Sequence, residues 1–429
     1  MSAPPWGTTV PGNRWDLATE SDAHAHALRR SVTVVVTHYD QPGELARTLS
    51  ALARQTYPAH LVQVVVADDG SPVPPSVPDG VALVRQEDRG FRAAAARNLG
   101  ASAATGDLLC FLDADTAPEP DYLARLLRLP ALLPEAVTVG RRRHADLAAS
   151  AAPVERAGPA HELPEPSWLT RAYADSRDLL DADDRSYRFV ISAVLACSRW
   201  FFEQVGGFDE SFDTYGGEDW EWAHRAWAAG GVLAHVRDAV AWHDGPEWAG
   251  REGASERRRR KNAETLRLAH RITVPGSRPR ALLTGGVEEL VVLERVASPS
   301  QALVCVDSVL LALPHARVVV PSHVHGPLRG DPRVLLDEPD GVPRVRIDVT
   351  DAVRVRDASG LREAVALLRD DVARVRLGEH VTLTAGRAVH RRRRWGSLVG
   401  WQDLAREAPW LEPVADEPEL AAWLGGWDD

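Results

Sequence analysis

The sequence predicts an α/β protein with a mostly parallel central sheet, followed by a second, smaller α/β domain. Three observations carry that expectation. Apolar runs at Val32–Val36, Leu61–Val66 and Leu108–Leu112, the first of them β-branched throughout, alternate with segments of helical spacing. Each run ends in a polar loop: Thr37-His38-Tyr39-Asp40, Asp68-Asp69-Gly70-Ser71 and Asp113-Ala114-Asp115-Thr116. A chain of 429 residues also exceeds what one hydrophobic core organises. Loops at the carboxyl ends of parallel strands gather along one edge, so the three loops are expected to line a single crevice.

In chain order, residues 1–30 mix Pro, Gly and polar side chains without a period and are expected to form an arm on the surface. After the first strand, Pro42-Gly43 opens a helical spacing through Leu45, Leu49, Leu52 and Ala53. Leu61–Val66 leads into a proline-rich loop to Pro78 and a short strand, Val81–Arg85. Gly90-Phe91-Arg92 precedes Ala93–Ala104, strong helix formers interrupted by Arg97, Asn98 and Gly100. Past Leu108–Leu112, Thr116–Leu129 is expected as a helix start and helix, and Ala136–Gly140 as a strand. The pattern dissolves over residues 141–186, read as an insertion beside the site. Phe189–Cys197 restores a strand, and Arg199–Val205 is a short helix stopped by Gly206-Gly207. Gly216-Gly217-Glu218-Asp219 heads a helix through Ala223–Ala229. Val232–Val236 and Ala239–Trp242 read as two short strands, the second ending in His243, and Glu256–Arg271 as a charged helix. Pro, Gly and Ser at Thr273–Arg280 mark a boundary, giving domains at residues 31–272 and 281–429. In the second, Glu288–Leu293, Ala316–Val320 and Arg344–Val349 read as strands and Ser300–Leu313 as a helix. Leu361–Leu368 continues that unit, and the tryptophan-rich tail from Trp401 is expected to pack back as a helix.

Composition narrows the function. A hydrophobic fraction of 45% and a charged fraction of 26% are those of a soluble globular protein. Cys110, Cys197 and Cys305 are odd in number and lie in apolar runs, which argues for core thiols in a reducing compartment. No apolar run is long enough for a membrane span and the start of the chain lacks a signal-like core, so a cytoplasmic location is expected. The net charge of -11 disfavours nucleic acid or anionic membrane as a general partner.

Several residues are candidates for chemistry, each with a plainer reading. Asp113 and Asp115, one residue apart at a strand end, are hard oxygen donors suited to a divalent cation against phosphate, although such a pair alone is more often a turn or cap. Glu218 and Asp219 sit at a helix N-terminus, where the dipole favours ionised carboxylates and where capping alone is the stronger reading. Trp220 and Trp222 follow on the same helix, where packing of the helix face is the stronger reading. His323 and His325 lack a third ligand and fit a surface loop. The runs Arg257–Arg260, followed by Lys261, and Arg391–Arg394 fit solvated helix faces better than a diphosphate or lipid contact.

Taken together, Val34-Val35-Val36-Thr37-His38-Tyr39, Val65-Val66-Ala67-Asp68-Asp69-Gly70-Ser71, Gly90-Phe91-Arg92 through Asn98, and Asp113-Ala114-Asp115 resemble the inverting glycosyltransferases of family 2, which have the GT-A fold. Gly206-Gly207-Phe208-Asp209-Glu210 and Gly216-Gly217-Glu218-Asp219 are similar to the acceptor-side segment of β-1,4-galactosyltransferases and chondroitin-polymerase-type enzymes. The resemblance covers roughly Ser31–Arg271. It implies metal-dependent transfer of a hexose or N-acetylhexosamine from a UDP-sugar to an acceptor hydroxyl on a saccharide, lipid-linked, peptide or small-molecule partner. It further implies Thr37 and Tyr39 at the nucleobase, Asp69 at the uracil ring, Arg92 near the phosphates and Asp113 at the ribose. Asp115 and His243 would ligate Mn²⁺ or Mg²⁺, Asp219 would be the general base, and Glu218 and Trp220 would meet the acceptor or donor sugar. Tyr215 stands where many relatives have Trp. A nucleotidyltransferase would carry a Gly-rich, Lys-containing first loop, which Thr37–Glu44 lacks, and a non-catalytic nucleotide-sugar-binding protein would not need Asp113, Asp115, Glu218 and Asp219 intact.

Overall fold

The computed structural model describes residues 2–18, 29–148, 150–246 and 254–425. Residues 19–28 of the expected arm, residue 149 of the insertion, the side chain of Arg257 and the last residues of the tail, 426–429, lie outside them. The chain divides into two compact units, Met1–Leu268 and Ala269–Asp429. Among the described residues no helix is long and apolar enough to cross a membrane.

In the first unit, β1 (Val32–His38), β2 (Val62–Asp68), β3 (Val81–Arg85) and β4 (Leu108–Asp113) pair in parallel in the order β3-β2-β1-β4. Helices α1 (Pro42–Leu52) and α2 (Ala93–Ser102) lie in the connections that follow β1 and β3. Val34, Val35, Val36, Val65, Val66 and Leu108–Leu112 are buried, as strands covered on both faces require. The order continues from β4 through β8 (Val194–Ser198), β6 (Ala136–Ala145) and β9 (Val232–Asp244) to β5 (Thr116–Pro118), with the two residues of β7 (Glu162–Leu163) on β6. β8 runs antiparallel to β4 and β6, β6 parallel to β9, and β5 antiparallel to β9. The sheet is mixed and mostly parallel, the α/β class that the sequence predicts.

Local expectations fail where tertiary pairing overrides local pattern. Thr116–Leu129 does not start as a helix: Thr116–Pro118 pairs with Ala241–His243 at the end of the sheet, where a proline costs no ladder bond, and the helix is confined to α3 (Tyr122–Leu126) and α4 (Arg128–Leu132). Val232 to Asp244 is one strand rather than two, its register against β6 shifting between Gly140 and Arg141 to absorb the polar Arg237-Asp238 break. β6 itself runs on to Ala145 because β9 supplies backbone partners under its arginines. Within the insertion lie α5 (Val154–Ala160) and α6 (Ser167–Asp175), and Ser186–Phe189 is a 3₁₀ turn, so the next strand starts only at Val194. α7 (Arg199–Val205) ends at left-handed Gly206, and α8 (Glu218–Ala228) begins at Glu218. The stretch Val10–Asn13 is core, not a surface arm. Val10 packs with Leu132, Leu133, Ala136 and Val232, while the buried Asn13 amide donates to the carbonyls of Leu179 (2.6 Å) and Leu233 (2.9 Å). The charged helix is α9 (Ala254–Ala269).

The second unit holds a separate sheet of β10 (Glu289–Arg295), β11 (Arg317–Val319), β12 (Val334–Leu335), β13 (Val345–Asp351), β15 (Val372–Leu377), β16 (Val381–Ala385) and β17 (Gln402–Arg406). Its order is β12-β11-β10-β13-β16-β15-β17, and β14 (Val353–Val355) pairs with β18 (Leu411–Pro413) outside it. α10 (Pro299–Ala312) is capped by the Ser298 hydroxyl, and α11 (Ser322–His325), α12 (Ala358–Ala366) and α13 (Gly386–Trp395) follow. His323 meets the Val296 carbonyl through Nε2 at 2.8 Å, a structural bond. Arg391 and Arg394 are buried while Arg392 and Arg393 are exposed, so that run is not one solvated face. The tail is not helical throughout: past Trp401 come β17 and β18, and α14 is only Leu420–Trp423. All three cysteines are free and buried.

Candidate active site

Strand register sets the site. His38 lies beside Asp68 and Thr37 beside Asp113, so the carboxyl ends of β1, β2 and β4 present their loops side by side. Asp68 is fully buried and forms the floor: it accepts hydrogen bonds from the Ser71 hydroxyl and amide, Arg85 Nε (3.0 Å) and the His38 ring (Nδ1, 2.8 Å). Burial works against its ionisation, but the bonds from Ser71 and His38 outweigh it, and its pKa falls below the usual carboxylate value. Asp69 accepts the Arg92 amide (2.8 Å) and the Gln86 side chain, and burial raises its pKa. Thr37 Oγ1 is buried without a hydrogen-bond partner, and Tyr39 is 45% exposed with its hydroxyl 3.4 Å from Asp88. The backbone of Arg92, not its guanidinium, holds Asp69, and the guanidinium lies 3.9 Å from Glu210.

At the centre is Arg97, 4% exposed, donating to Asp113 Oδ1 and Glu218 Oε1 at 2.9 Å each. Its neighbour Asn98 exchanges two 2.9 Å bonds with the backbone of Phe208. Helix α2 therefore ties the end of β4 to the segment that leads into α8. Sequence reasoning passed over Arg97 as an interruption in an alanine run. The signal was present: a lone charged residue among buried alanines needs a buried partner.

Gly216 and Gly217 have φ near +97° and +100°, and a Cβ on Gly217 would lie 3.1 Å from Phe212, so the turn into α8 requires glycine there. That turn buries Glu218 (6% exposed), whose Oε2 has no hydrogen-bond partner. Asp219 is half-buried and accepts the Trp220 amide at 2.8 Å and the Ser192 amide at 3.5 Å. Burial, and then the adjacent Glu218 charge, push its pKa up to about 7, with Arg97 pulling the other way. Trp222 is fully buried against Phe202 and Phe208, as packing would have it. Trp220 is half-buried, edge-on to Tyr187, and carries the Lys261 ammonium 4.5 Å over its ring. Tyr215 is exposed, edge-on to Phe91 at 5.5 Å.

On the other side, Thr116 pairs with His243, bringing His243 Nε2 to 3.4 Å from Asp115 Oδ2. The other ring nitrogen, Nδ1, lies 3.1 Å from the Gly245 carbonyl, which orients the imidazole with Nε2 toward the acid. Burial opposes ionisation of Asp115, but His243 prevails and its pKa is lowered. Among the described residues, no three His, Cys, Asp or Glu side chains are arranged so that together they could hold a metal ion.

Residues 33–156 match the family model Glycosyl transferase family 2, and residues 180–240 match a model described as the N-terminal domain of galactosyltransferase. Over residues 33–156 the chain is similar to family 2 glycosyltransferases. Hyaluronan synthase of Pasteurella multocida is 29% identical over 56% of this chain and 26% of its own length. Validoxylamine A glucosyltransferase of Streptomyces hygroscopicus subsp. jinggangensis is 32% identical over 55% of this chain and 58% of its own. The crystal structure of GalNAc-T7 with UDP, GalNAc and Mn²⁺ aligns at 20% identity over 50% of this chain and 44% of that chain, with a TM-score of 0.37. The chain thus spans between about a quarter and somewhat over half of these two curated relatives. The first matched segment contains Thr37, Tyr39, Asp69, Arg92, Arg97, Asp113 and Asp115, and the second contains Glu218, Asp219 and Trp220. His243 lies just beyond the second.

Proposed function

We propose that this protein transfers a hexose or N-acetylhexosamine from a UDP-sugar to an acceptor hydroxyl, with inversion at the anomeric carbon and with a divalent cation. The observation that carries the reading is the single buried Arg97 holding Asp113 and Glu218, which leaves Asp219 beside them with a carboxyl pushed up to about 7. A base poised near neutral pH suits removal of a proton from an attacking hydroxyl. Thr37 Oγ1, buried and without a partner, and Asp69, held by the backbone of Arg92, support a polar pocket for the nucleobase.

The donor set at Asp115 and His243 fits a divalent ion. With Nδ1 turned to a carbonyl, His243 presents Nε2 to the Asp115 carboxylate at 3.4 Å, and a divalent ion taking the place of the proton between them would have one nitrogen and one oxygen ligand. An ion held there would stabilise the negative charge left on the nucleoside diphosphate as the bond from sugar C1 to phosphate breaks. Asp219 takes the acceptor proton as the hydroxyl oxygen attacks C1 from the opposite face. Glu218, fixed by Arg97 through one oxygen, offers the other to a sugar hydroxyl. Trp220 contributes an edge more than a face, since Lys261 covers its ring. The acceptor classes remain saccharide, lipid-linked, peptide or small-molecule hydroxyls.

The test is incubation with Mn²⁺ and a panel of nucleotide sugars, following release of nucleoside diphosphate with and without acceptor sugars. Release from UDP-sugars that Asp219→Asn abolishes, with UDP binding retained, is the expected result. Absence of release and of binding for every donor refutes the reading.

A further inference from the structure

β6 carries three consecutive arginines, and strand alternation separates them. Arg141 and Arg143 pair with Glu165 and Glu162 of the insertion, and Arg143 also lies 4.3 Å over the Trp242 ring. Arg142 alternates to the opposite face, with His144 two residues on. Among the described residues no hydrogen bond or ion pair satisfies the Arg142 guanidinium, and its Nε is buried.

Register identifies what that face looks at. His144 lies opposite His243 and Arg142 opposite Ala241 on β9, and His243 is in turn opposite Thr116 on β5. The His144 and His243 rings stand 4.9 Å apart, and His243 reaches Asp115. Arg142 is thus one alternation from the pair assigned above to the metal. By register Arg142 shares the sheet face of His144 and His243, the histidine that reaches the strand-end acid.

A partly buried guanidinium whose N–H groups lack partners keeps those donors available to an incoming anion. Arg97, in the same site, has two carboxylates. We propose that Arg142 is an anion-binding residue of this site and that it donates its N–H groups to the phosphoryl oxygens of the nucleoside diphosphate. The proposal rests on the reading under Proposed function. Place favours phosphate over a sugar carboxylate, since Asp115 and its ion are where the diphosphate would be held. A divalent ion beside one aspartate leaves the departing diphosphate with surplus negative charge, which a fixed guanidinium offsets.

The experiment is calorimetric titration of the full chain, wild type, Arg142→Gln and Arg142→Lys, with UDP, uridine and glucuronate, each in Mn²⁺ and in EDTA. In Arg142→Gln the UDP affinity should fall by about tenfold or more, in EDTA as well as in Mn²⁺, with uridine unchanged and Arg142→Lys intermediate. Unchanged uridine binding also reports that the variant is folded. Equal UDP affinities in wild type and Arg142→Gln overturn the proposal, as does a loss for uridine as large as for UDP. A loss confined to glucuronate makes Arg142 a carboxylate subsite and overturns the diphosphate assignment. Wild-type protein that binds no nucleoside diphosphate refutes the proposed function and this assignment with it, whereas UDP binding that ignores Arg142 removes only the latter.

Discussion

Replacing Asp219 by Asn should inactivate the protein and stabilise it at alkaline pH. In the unfolded chain this carboxyl ionises near 3.8, and in the folded protein it is pushed up to about 7. Between those values the native state keeps a proton that the unfolded state has lost, so stability falls as pH rises and the full penalty is present above 7. That gap corresponds to about 4 kcal/mol as a ceiling. Asp219 is only half-buried, and with solvent screening taken to halve the effect, about 2 kcal/mol remains. Asparagine keeps an acceptor for the Trp220 amide and is never charged, so the variant escapes the penalty. Urea unfolding of both proteins at pH 5 and pH 8 is the assay. The variant should gain stability at pH 8 and gain clearly less at pH 5, where most of the wild-type penalty has not yet developed. A variant less stable than wild type at pH 8, or a difference independent of pH, would falsify the account of Asp219 as a half-buried base with a raised pKa.

Removing the neighbouring charge with Glu218→Gln should lower the Asp219 pKa, because Glu218 raises it, and move the acidic limb of the pH–kcat profile to lower pH. Arg97→Met leaves the Glu218 carboxylate buried without its cation and should destabilise by about 3–5 kcal/mol in denaturant unfolding, with part recovered in the Arg97→Met/Glu218→Gln double variant. Gly217→Ala forces a Cβ to 3.1 Å from Phe212 at positive φ and should cost about 1–3 kcal/mol, seen as a lower Tm. Wild-type Tm should rise on addition of Mn²⁺ and fall back with EDTA, and Asp115→Asn or His243→Ala should remove that response.

The parts of the fold legible in the sequence are those in which local pattern and tertiary burial agree. Val32–His38, Val62–Asp68 and Leu108–Asp113 are continuous apolar runs covered on both faces, so their periodicity and the polar loops at their ends are visible without partners. β5 was hidden because a three-residue strand containing Pro118 exists only through its pairing with β9. The charged half of β6 was hidden because Arg141–Arg143 resemble a loop until Trp242, Glu162 and Glu165 are beside them. In the site, the acidic motifs announce themselves by residue type and spacing. Arg97 does not, since its importance lies in two carboxylates at Asp113 and Glu218, far away in the chain. Trp220 shows the opposite limit: the residue type suits sugar stacking, but Lys261 occupies the ring face.

Helix α2 has a consequence beyond holding residues in place. Arg92, the residue just before it, takes part in the loop around Asp69, and a turn and a half later Arg97 and Asn98 grip Glu218 and the Phe208 backbone. A ligand that pressed on the loop from Gln86 to Arg92 would act through this helix on the segment from Gly206 to Glu218, and thermodynamic reciprocity would make the influence equal in both directions. A substitution on the buried face of this helix, out of reach of any substrate, would then change the cooperativity between two binding events more than the strength of either.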